Sequence, residues 1–423
     1  LEPIKASLDS IAKIKDAKGL ATALGATLRA DVDVLNNTNY DTDNLFGLWV
    51  AQDLDEPTKY AAFMLQGGLE MPDRDYYLSN EPRMKDIRDK YKAHIEAQLK
   101  AAKIADADKR AAKILDLETK IAQVHATREE TEDVTKGNNR WAKADLAKKA
   151  PGLDWDAFLT AAQLDKQATF VAWQPKAITG ISALVKSVPL DTWKDFLTFH
   201  AIEHHASFLP KAFADESFNF HGKTLNGVPQ QRERWKRAVA ATDQAVGEIV
   251  GKLYVEKYFP ASEKKRAEEM VKNIVAAFGK RIDGLDWMSP KTKEQAKAKL
   301  AVLKVGVGYP DKWRDYSSLE VKRGEAYGNY DRAELFDYKR NLAKLATPVD
   351  RSEWVMNAQL VNAVNLPAMN ALNFPAAILQ PPSFDPNRPS AMDYGAMGAV
   401  IGHEICHSFD DTGALFDAAG KLH

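Results

Sequence analysis

The chain has 423 residues, of which 45% are hydrophobic, and this is long enough for two or more domains with extensive cores. Its 58 Lys and Arg residues nearly balance 59 Asp and Glu residues, so no overall electrostatic field favours nucleic acid or a membrane surface as partner. No stretch approaches the roughly 18 apolar residues of a membrane span, residues 1–13 lack the apolar region of a signal peptide, and the single cysteine, Cys406, excludes an intrachain disulfide.

Residues 1–300 carry mainly helical patterns. Charged and apolar residues alternate at helical spacing over residues 81–123, 233–259 and 262–284. Breaks are expected at residues 150–152, at 218–228, where His221-Gly222 favours a short hairpin, and at 289–290. We therefore predict a mostly α lobe over residues 1–300 and a second lobe over residues 301–423.

A group of polar residues on one predicted helix resembles a metal site but lacks an essential part. His200 and His204 are four residues apart, with Glu203 and His205 beside them. Ala201, and not a glutamate, follows His200, so the general base of a zinc peptidase motif is missing. The group is interpreted as a helix surface or a contact between lobes.

Two strands are predicted late in the chain, over residues 359–364 and 371–379. The second strand should end before Gln380-Pro381-Pro382, because proline interrupts regular strand pairing.

The segment that follows these strands carries the chemistry. His403 and His407 are four residues apart, which on a helix places both imidazoles on one face, close enough to hold one zinc ion. Glu404 lies beside them, where it can take a proton from metal-bound water. An apolar stripe recurs every four residues on the other side of this helix: Met397, Ile401, Ile405 and Phe409. The pattern predicts a zinc-dependent peptidase.

The third zinc ligand is not evident. A third histidine six residues after His407 would indicate a metzincin, but Gly413 occupies that position, and Asp410 stands where that class has glycine. No glutamate follows Glu404, so the possible ligands in the rest of the chain are Asp410, Asp411, Asp417 and His423. We therefore expect the chain to be incomplete.

Several strings of the chain together resemble the neprilysin family of zinc metallopeptidases, most closely its bacterial oligopeptidase branch. They are residues 66–69 (QGGL), 71–78 (MPDRDYYL), 225–227 (LNG), 308–310 (GYP), 361–365 (VNAVN), 373–384 (NFPAAILQPPSF), 394–395 (YG) and 409–411 (FDD), together with the histidine motif. The resemblance covers nearly the whole chain.

The resemblance implies a mainly α fold with a small β element, in which a helical cap lobe lies over a thermolysin-like catalytic lobe. It implies that the third zinc ligand is a glutamate in a Glu-x-x-x-Asp motif beyond His423, and that a segment precedes Leu1. It also implies that Asn362 and Ala363, next to an edge strand, bind the substrate backbone.

The family's pocket for the residue after the scissile bond corresponds to Ile378, Ser383 and Val400. Val364 and Asn365 stand where the family usually has an aromatic pair.

The predicted function is therefore a zinc endopeptidase that hydrolyses short peptides through a metal-activated water, with Glu404 as general base and one Zn²⁺. Asp410 is a candidate to support His407, with a role at the helix end as the alternative. Expected partners are peptide substrates and a separate C-terminal polypeptide. The resemblance implies an extracytoplasmic location, periplasmic or secreted. Two alternatives remain: a structural zinc module, and an inactive fragment or pseudoenzyme that binds peptides.

Overall fold

Helices dominate this computed structural model, which describes residues 2–36 and 39–423. The protein is 56% helical with a small amount of sheet, so the prediction of a mainly α fold is confirmed. Within the described residues, no helix is both long and apolar enough to cross a membrane.

A four-stranded sheet lies in the N-terminal part of the chain. Its strands are β1 (Phe46–Gln52), β2 (Tyr60–Gln66), β3 (Asn139–Ala142) and β4 (Thr169–Ala172). In the order β1-β2-β4-β3, the outer pairs are antiparallel and β2 is parallel to β4. All of β1 and nearly all of β2 is buried, because one apolar cluster covers each face of the sheet.

Eleven helices surround this sheet in the described part of the chain. They are α1 (Lys5–Ala12), α2 (Ala17–Thr27), α3 (Asp75–Leu78), α4 (Pro82–Ala101), α5 (Ala107–Val124), α6 (Arg128–Glu132), α7 (Leu146–Lys149), α8 (Trp155–Ala161), α9 (Pro175–Ser187), α10 (Leu190–His204) and α11 (Lys211–Ser217). The helical pattern predicted over residues 81–123 is present as α4 and α5. A turn separates them, in which Lys103 and Asp106 have positive φ values of 58° and 54°.

A π-helical segment, Phe218–Leu225, continues directly from α11. The hairpin predicted at His221-Gly222 is therefore wrong. Phe220 is buried and its ring stacks on His94 of α4, 4.9 Å between centroids, so tertiary packing keeps this segment helical.

The remaining elements follow in the second half of the chain. The helices are α12 (Arg234–Tyr258), α13 (Ala261–Asp283), α14 (Pro290–Ala301), α15 (Ala326–Lys344) and α16 (Ser390–His407). The strands are β5 (Lys304–Gly308), β6 (Val364–Leu366) and β7 (Ala371–Pro375), which form a sheet in the order β5-β7-β6. The strand predicted over residues 359–364 is wrong except at its last residue. Residues 359–363 form a turn and an irregular connection, and pairing with β7 begins at Val364.

Helix α16 packs into a second hydrophobic core. Met397, Ile401 and Ile405 are fully buried there with residues of α13, α14, β5 and β7. Phe409, just past the helix, stacks on Phe278 of α13 with 5.4 Å between ring centroids. Helix α13 thus covers much of the apolar stripe of α16. The lobe boundary near residue 300 stays a prediction.

The segment after α16 returns to the N-terminal sheet. Phe416 is buried in the same cluster as Trp49 and Phe63, and the Leu422 amide donates to the Leu54 carbonyl at 2.9 Å. The final described residues thus fasten the end of α16 to the first sheet.

Candidate metal centre

The two motif histidines meet on one exposed face of α16. Their Nε2 atoms are 3.0 Å apart, and the ring planes are almost perpendicular at 84°. Both His403 and His407 are exposed, so the space in front of their rings is open to solvent. Two imidazole nitrogens that converge on open space are a suitable pair of ligands for a zinc ion.

Asp410 supports His407 from behind. Its Oδ2 lies 2.7 Å from His407 Nδ1, which leaves Nε2 directed towards His403. Its Oδ1 accepts hydrogen bonds from the backbone amides of Thr412 and Gly413, so this residue also forms the turn that ends the helix. Burial raises the pKa of Asp410, but the bonds from His407 and Gly413 outweigh it and the net pKa is lowered. An ionised carboxylate behind a metal-binding histidine fixes the ring and its tautomer.

Glu404 is buried beside the two histidines. Burial raises the pKa of its carboxyl group, and the charges of His407 and His403 only partly offset this. A carboxylate whose pKa is moved towards neutrality is suited to accept a proton and return it.

Asn365 of β6 fixes the end of the helix. Its Nδ2 donates to the Glu404 carbonyl at 2.8 Å and to Ser408 Oγ at 2.7 Å. Because the Ser408 amide bonds to Ile405, the Glu404 carbonyl would otherwise lack its usual helical donor. No pattern in the sequence predicted this role. Val364 and Asn365, which stand where the resemblance implies an aromatic pair, are both buried.

Asp393 fixes the start of the helix. Its carboxylate is buried and accepts from Arg266 Nη2 at 2.7 Å, from Arg388 Nε at 2.6 Å and from the Asp385 amide at 3.0 Å. These three bonds tie α16 to α13 and to the preceding loop. Sequence reasoning missed this group as well.

A buried lysine holds the turn that follows α16. Lys299 of α14 donates to the carbonyls of Gly413 and Phe416 at 2.7 and 2.8 Å. Burial lowers the pKa of Lys299 to about 8.

The described residues do not bring a third ligand to the histidine pair. No third His, Cys, Asp or Glu in residues 2–36 and 39–423 has a ligand atom within 4.8 Å of both histidines. Asp417 and His423, two of the alternatives from the sequence, bond to each other at 3.1 Å.

The predicted substrate-binding residues lie around the second sheet. Asn362 is exposed and Ala363 is buried, and both immediately precede β6, which is an edge strand of its sheet. Ile378 and Val400 are half-buried against the second core. Ser383 is half-buried, and its backbone bonds to Gln380 and Arg388. The roles of all five residues stay predictions.

One other sequence interpretation is wrong in part. On α10, His200 and Glu203 are buried inside the N-terminal part whereas His204 is exposed, so only part of this group lies on the helix surface. The single cysteine, Cys406, is exposed on α16.

Known proteins are similar to this chain in both sequence and fold. Sequence profiles of peptidase family M13 match residues 1–310 and residues 362–423. An endothelin-converting enzyme homolog of Locusta migratoria is 29% identical over 420 residues, which are 94% of this chain and 57% of that protein. Neprilysin-3 of Drosophila melanogaster is also 29% identical, over 95% of this chain and 53% of that protein.

A solved structure extends the likeness to three dimensions. The zinc metalloprotease Zmp1 of Mycobacterium tuberculosis, crystallised with an inhibitor, superposes with a TM-score of 0.91 at 38% identity. The match covers 100% of this chain and 63% of Zmp1. The chain therefore spans less than two thirds of the length of these relatives, 57% for the Locusta protein and 63% for Zmp1. The resemblance to the neprilysin family is thus confirmed. The chain belongs to peptidase family M13.

Proposed function

We propose that this chain carries the helical lobe and the first part of the catalytic centre of a zinc-dependent endopeptidase of the neprilysin type. The observation that supports this most directly is the pair of Nε2 atoms 3.0 Å apart on α16, with the buried Glu404 directly beside them. The names of the relatives, an endothelin-converting enzyme homolog and a zinc metalloprotease, agree with this activity.

His403 and His407 would hold one Zn²⁺, and the convergence of their Nε2 atoms fits that ion. A glutamate beyond His423, as in the family, would be the third ligand. When bound, zinc polarises a substrate carbonyl and lowers the pKa of a water molecule towards about 7. Asp410 keeps His407 in the tautomer that presents Nε2.

Glu404 would transfer the proton. Its raised pKa suits a base that takes a proton from the attacking water and then gives it to the leaving amine. The bond from Asn365 to the Glu404 carbonyl holds this part of the helix, and therefore the carboxylate, in place.

An extended peptide would bind along the edge of the second sheet. Asn362 and Ala363 stand where the edge strand β6 begins, and main-chain bonds there would hold a substrate without demanding a particular sequence. Ile378, Ser383 and Val400 would receive the side chain after the scissile bond. The helical lobe would restrict access to short peptides, so efficient cleavage of a folded protein would count against this part of the proposal.

The location and partners belong to the same proposal. We place the enzyme outside the cytoplasm, periplasmic or secreted, by analogy with its relatives. A C-terminal polypeptide that supplies the third ligand would be its partner in catalysis. A peptide-binding pseudoenzyme is the second candidate, and the intact motif argues against it.

The test is Glu404→Gln in the full-length protein. We expect it to keep zinc and to lower turnover of a short peptide by about 10² to 10⁴, because it removes a proton acceptor and no metal ligand. Cys406→Ser, an exposed change two positions away on the same helix, is the control and should keep both zinc and activity. Loss of zinc from Glu404→Gln would contradict the role given to Glu404. A zinc-loaded wild type that cleaves no peptide would support the pseudoenzyme.

A further inference from the structure

A second set of histidine and carboxylate groups lies inside the N-terminal part of the chain. It joins His94 of α4, Glu203 of α10 and His221 of the π-helical segment. His94 Nε2 is 3.1 Å from Glu203 Oε2, and His221 Nε2 is 3.3 Å from Glu203 Oε1. The side chains of His94 and Glu203 are only 1% and 3% exposed. Side chains from three separate elements thus meet in a largely buried space.

The distances are those of ion pairs, but neither contact has hydrogen-bonding geometry. Neither His94 Nε2 nor His221 Nε2 has a hydrogen-bond partner among the described residues. Since the separations are short enough, it is the direction of the ring nitrogens that fails. Zinc–nitrogen bonds of about 2.0–2.1 Å in a tetrahedron separate the ligand atoms by about 3.3 Å. The two histidine–carboxylate separations are therefore compatible with ligands around one ion, and one ligand atom of each of the three residues lies within 4.8 Å of the others.

The outer contacts of the cluster also resemble those of a metal site. His94 Nδ1 lies 3.1 Å from Glu216 Oε1 in hydrogen-bonding geometry, which leaves Nε2 to face Glu203. Gln98 Nε2 donates to Glu203 Oε2 at 2.7 Å and orients that carboxylate. The contact between His407 and Asp410 has the same form, a carboxylate on the far nitrogen of a ligand histidine.

Neighbouring histidines show what ordinary ion pairs look like in this part of the protein. His204 Nε2 hydrogen-bonds to Glu334 at 3.2 Å, and His200 Nε2 hydrogen-bonds to the buried Glu118 at 2.9 Å. These two nitrogens hydrogen-bond to a carboxylate. The facing nitrogens of His94 and His221 lie at ion-pair distance from Glu203 without such a bond, as does His200 Nδ1 beside Glu70.

We propose that His94, Glu203 and His221 hold a second metal ion, a divalent transition metal of the zinc class. Two imidazoles and one carboxylate favour such an ion over Ca²⁺ or Mg²⁺, which prefer oxygen ligands. The fourth coordination position of the ion would be occupied by water or by Glu70, whose Oε1 is 3.3 Å from His221 Nε2. Glu70 also lines a cavity of about 450 Å³, and His221 is 30% exposed, so an ion has a route inwards.

The ion would have a structural role. It would join α4, α10 and the π-helical segment, whose ligands are separated by up to 127 positions along the chain, from 94 to 221. A π-helical segment is rare and often marks a functional position, which is consistent with a backbone shaped to present His221.

The experiment uses the full-length protein in which His403→Ala and His407→Ala remove the metal site on α16. Zn²⁺ alone is added, and binding is measured by equilibrium dialysis with elemental analysis. We expect one zinc ion per chain, and a higher melting temperature when it is bound. His221→Gln on this background should weaken zinc binding at least about tenfold. His204→Gln is the matched control, because both side chains are 30% exposed, and it should bind as the background does.

Two results would overturn the proposal. One is a background protein that binds no zinc, in which case the cluster is an ion-pair network only. The other is an equal loss of binding in His204→Gln and His221→Gln, which would show that no particular ligand set is involved. Anomalous diffraction at the zinc edge gives a test without variants: a peak between His94, Glu203 and His221 supports the site, and its absence in crystals soaked with Zn²⁺ overturns it.

Discussion

Replacing Asn365 by alanine should loosen the end of the metal-binding helix. The side chain is 8% exposed and donates two hydrogen bonds, to the Glu404 carbonyl and to Ser408 Oγ. A buried hydrogen bond contributes about 1 kcal/mol, so Asn365→Ala should cost about 2 kcal/mol of local stability. Since about 1.4 kcal/mol is a tenfold change in an equilibrium, the helix end should open roughly 30-fold more often. Turnover should fall as well, because Glu404 is no longer held in place.

Hydrogen–deuterium exchange of peptides from α16, measured on the full-length protein, reports this opening directly. Ser408→Ala removes one of the two bonds and should give about half of the effect in free energy. Asn362→Ala changes an exposed asparagine on the same connection and should leave exchange in α16 unaltered. Exchange in Asn365→Ala within about threefold of the wild type would refute the role assigned to Asn365.

Two further changes test other parts of the structure. Gly413→Ala should destabilise the turn after α16 by several kcal/mol, because the added Cβ would lie 1.9 Å from the His407 carbonyl oxygen. Gly402→Ala is the control, because a Cβ there meets no atom within 4 Å, and it should keep the melting temperature of the wild type. An unchanged melting temperature in Gly413→Ala would contradict this prediction. Burial raises the pKa of Asp31 from 3.8 to about 7, so the folded state binds this proton more tightly than the unfolded state does, and stability falls as the pH rises from 3.8 through about 7. Asp31→Asn should therefore gain stability over the wild type at pH 8 relative to pH 4 in urea titrations, and an equal difference at both pH values would count against it.

Periodicity predicted part of the fold. The helices α4, α5 and α13 each bury one apolar face, and the alternation of charged and apolar residues that predicts them and α12 is visible in the sequence. The strands β1 and β2 were not predicted, because both are buried on two faces and have no polar face to alternate with. The strand expected from residue 359 began five residues later, since boundaries depend on where a partner strand starts.

In the metal centre too, contacts within one helix were predictable from the sequence, whereas contacts between distant elements were not. The i, i+4 spacing placed His403 and His407 together because a helix alone determines that geometry. Asn365 is separated from Glu404 by 39 residues, and only the packing of β6 against α16 brings them into contact. His94 and His221 likewise meet Glu203 through the arrangement of three elements, and no spacing in the sequence reports it.

The turn after α16 has a mechanical consequence. Phe416 and Leu422 are anchored on the first sheet. We therefore expect the carboxyl end of the metal-binding helix and that sheet to move together as one body. An opening motion that widens the path for a peptide substrate would therefore need a hinge outside this connection. The amplitude of motion at the two imidazoles should then follow that of the first sheet, even though 350 residues of sequence lie between Gln52 and His403.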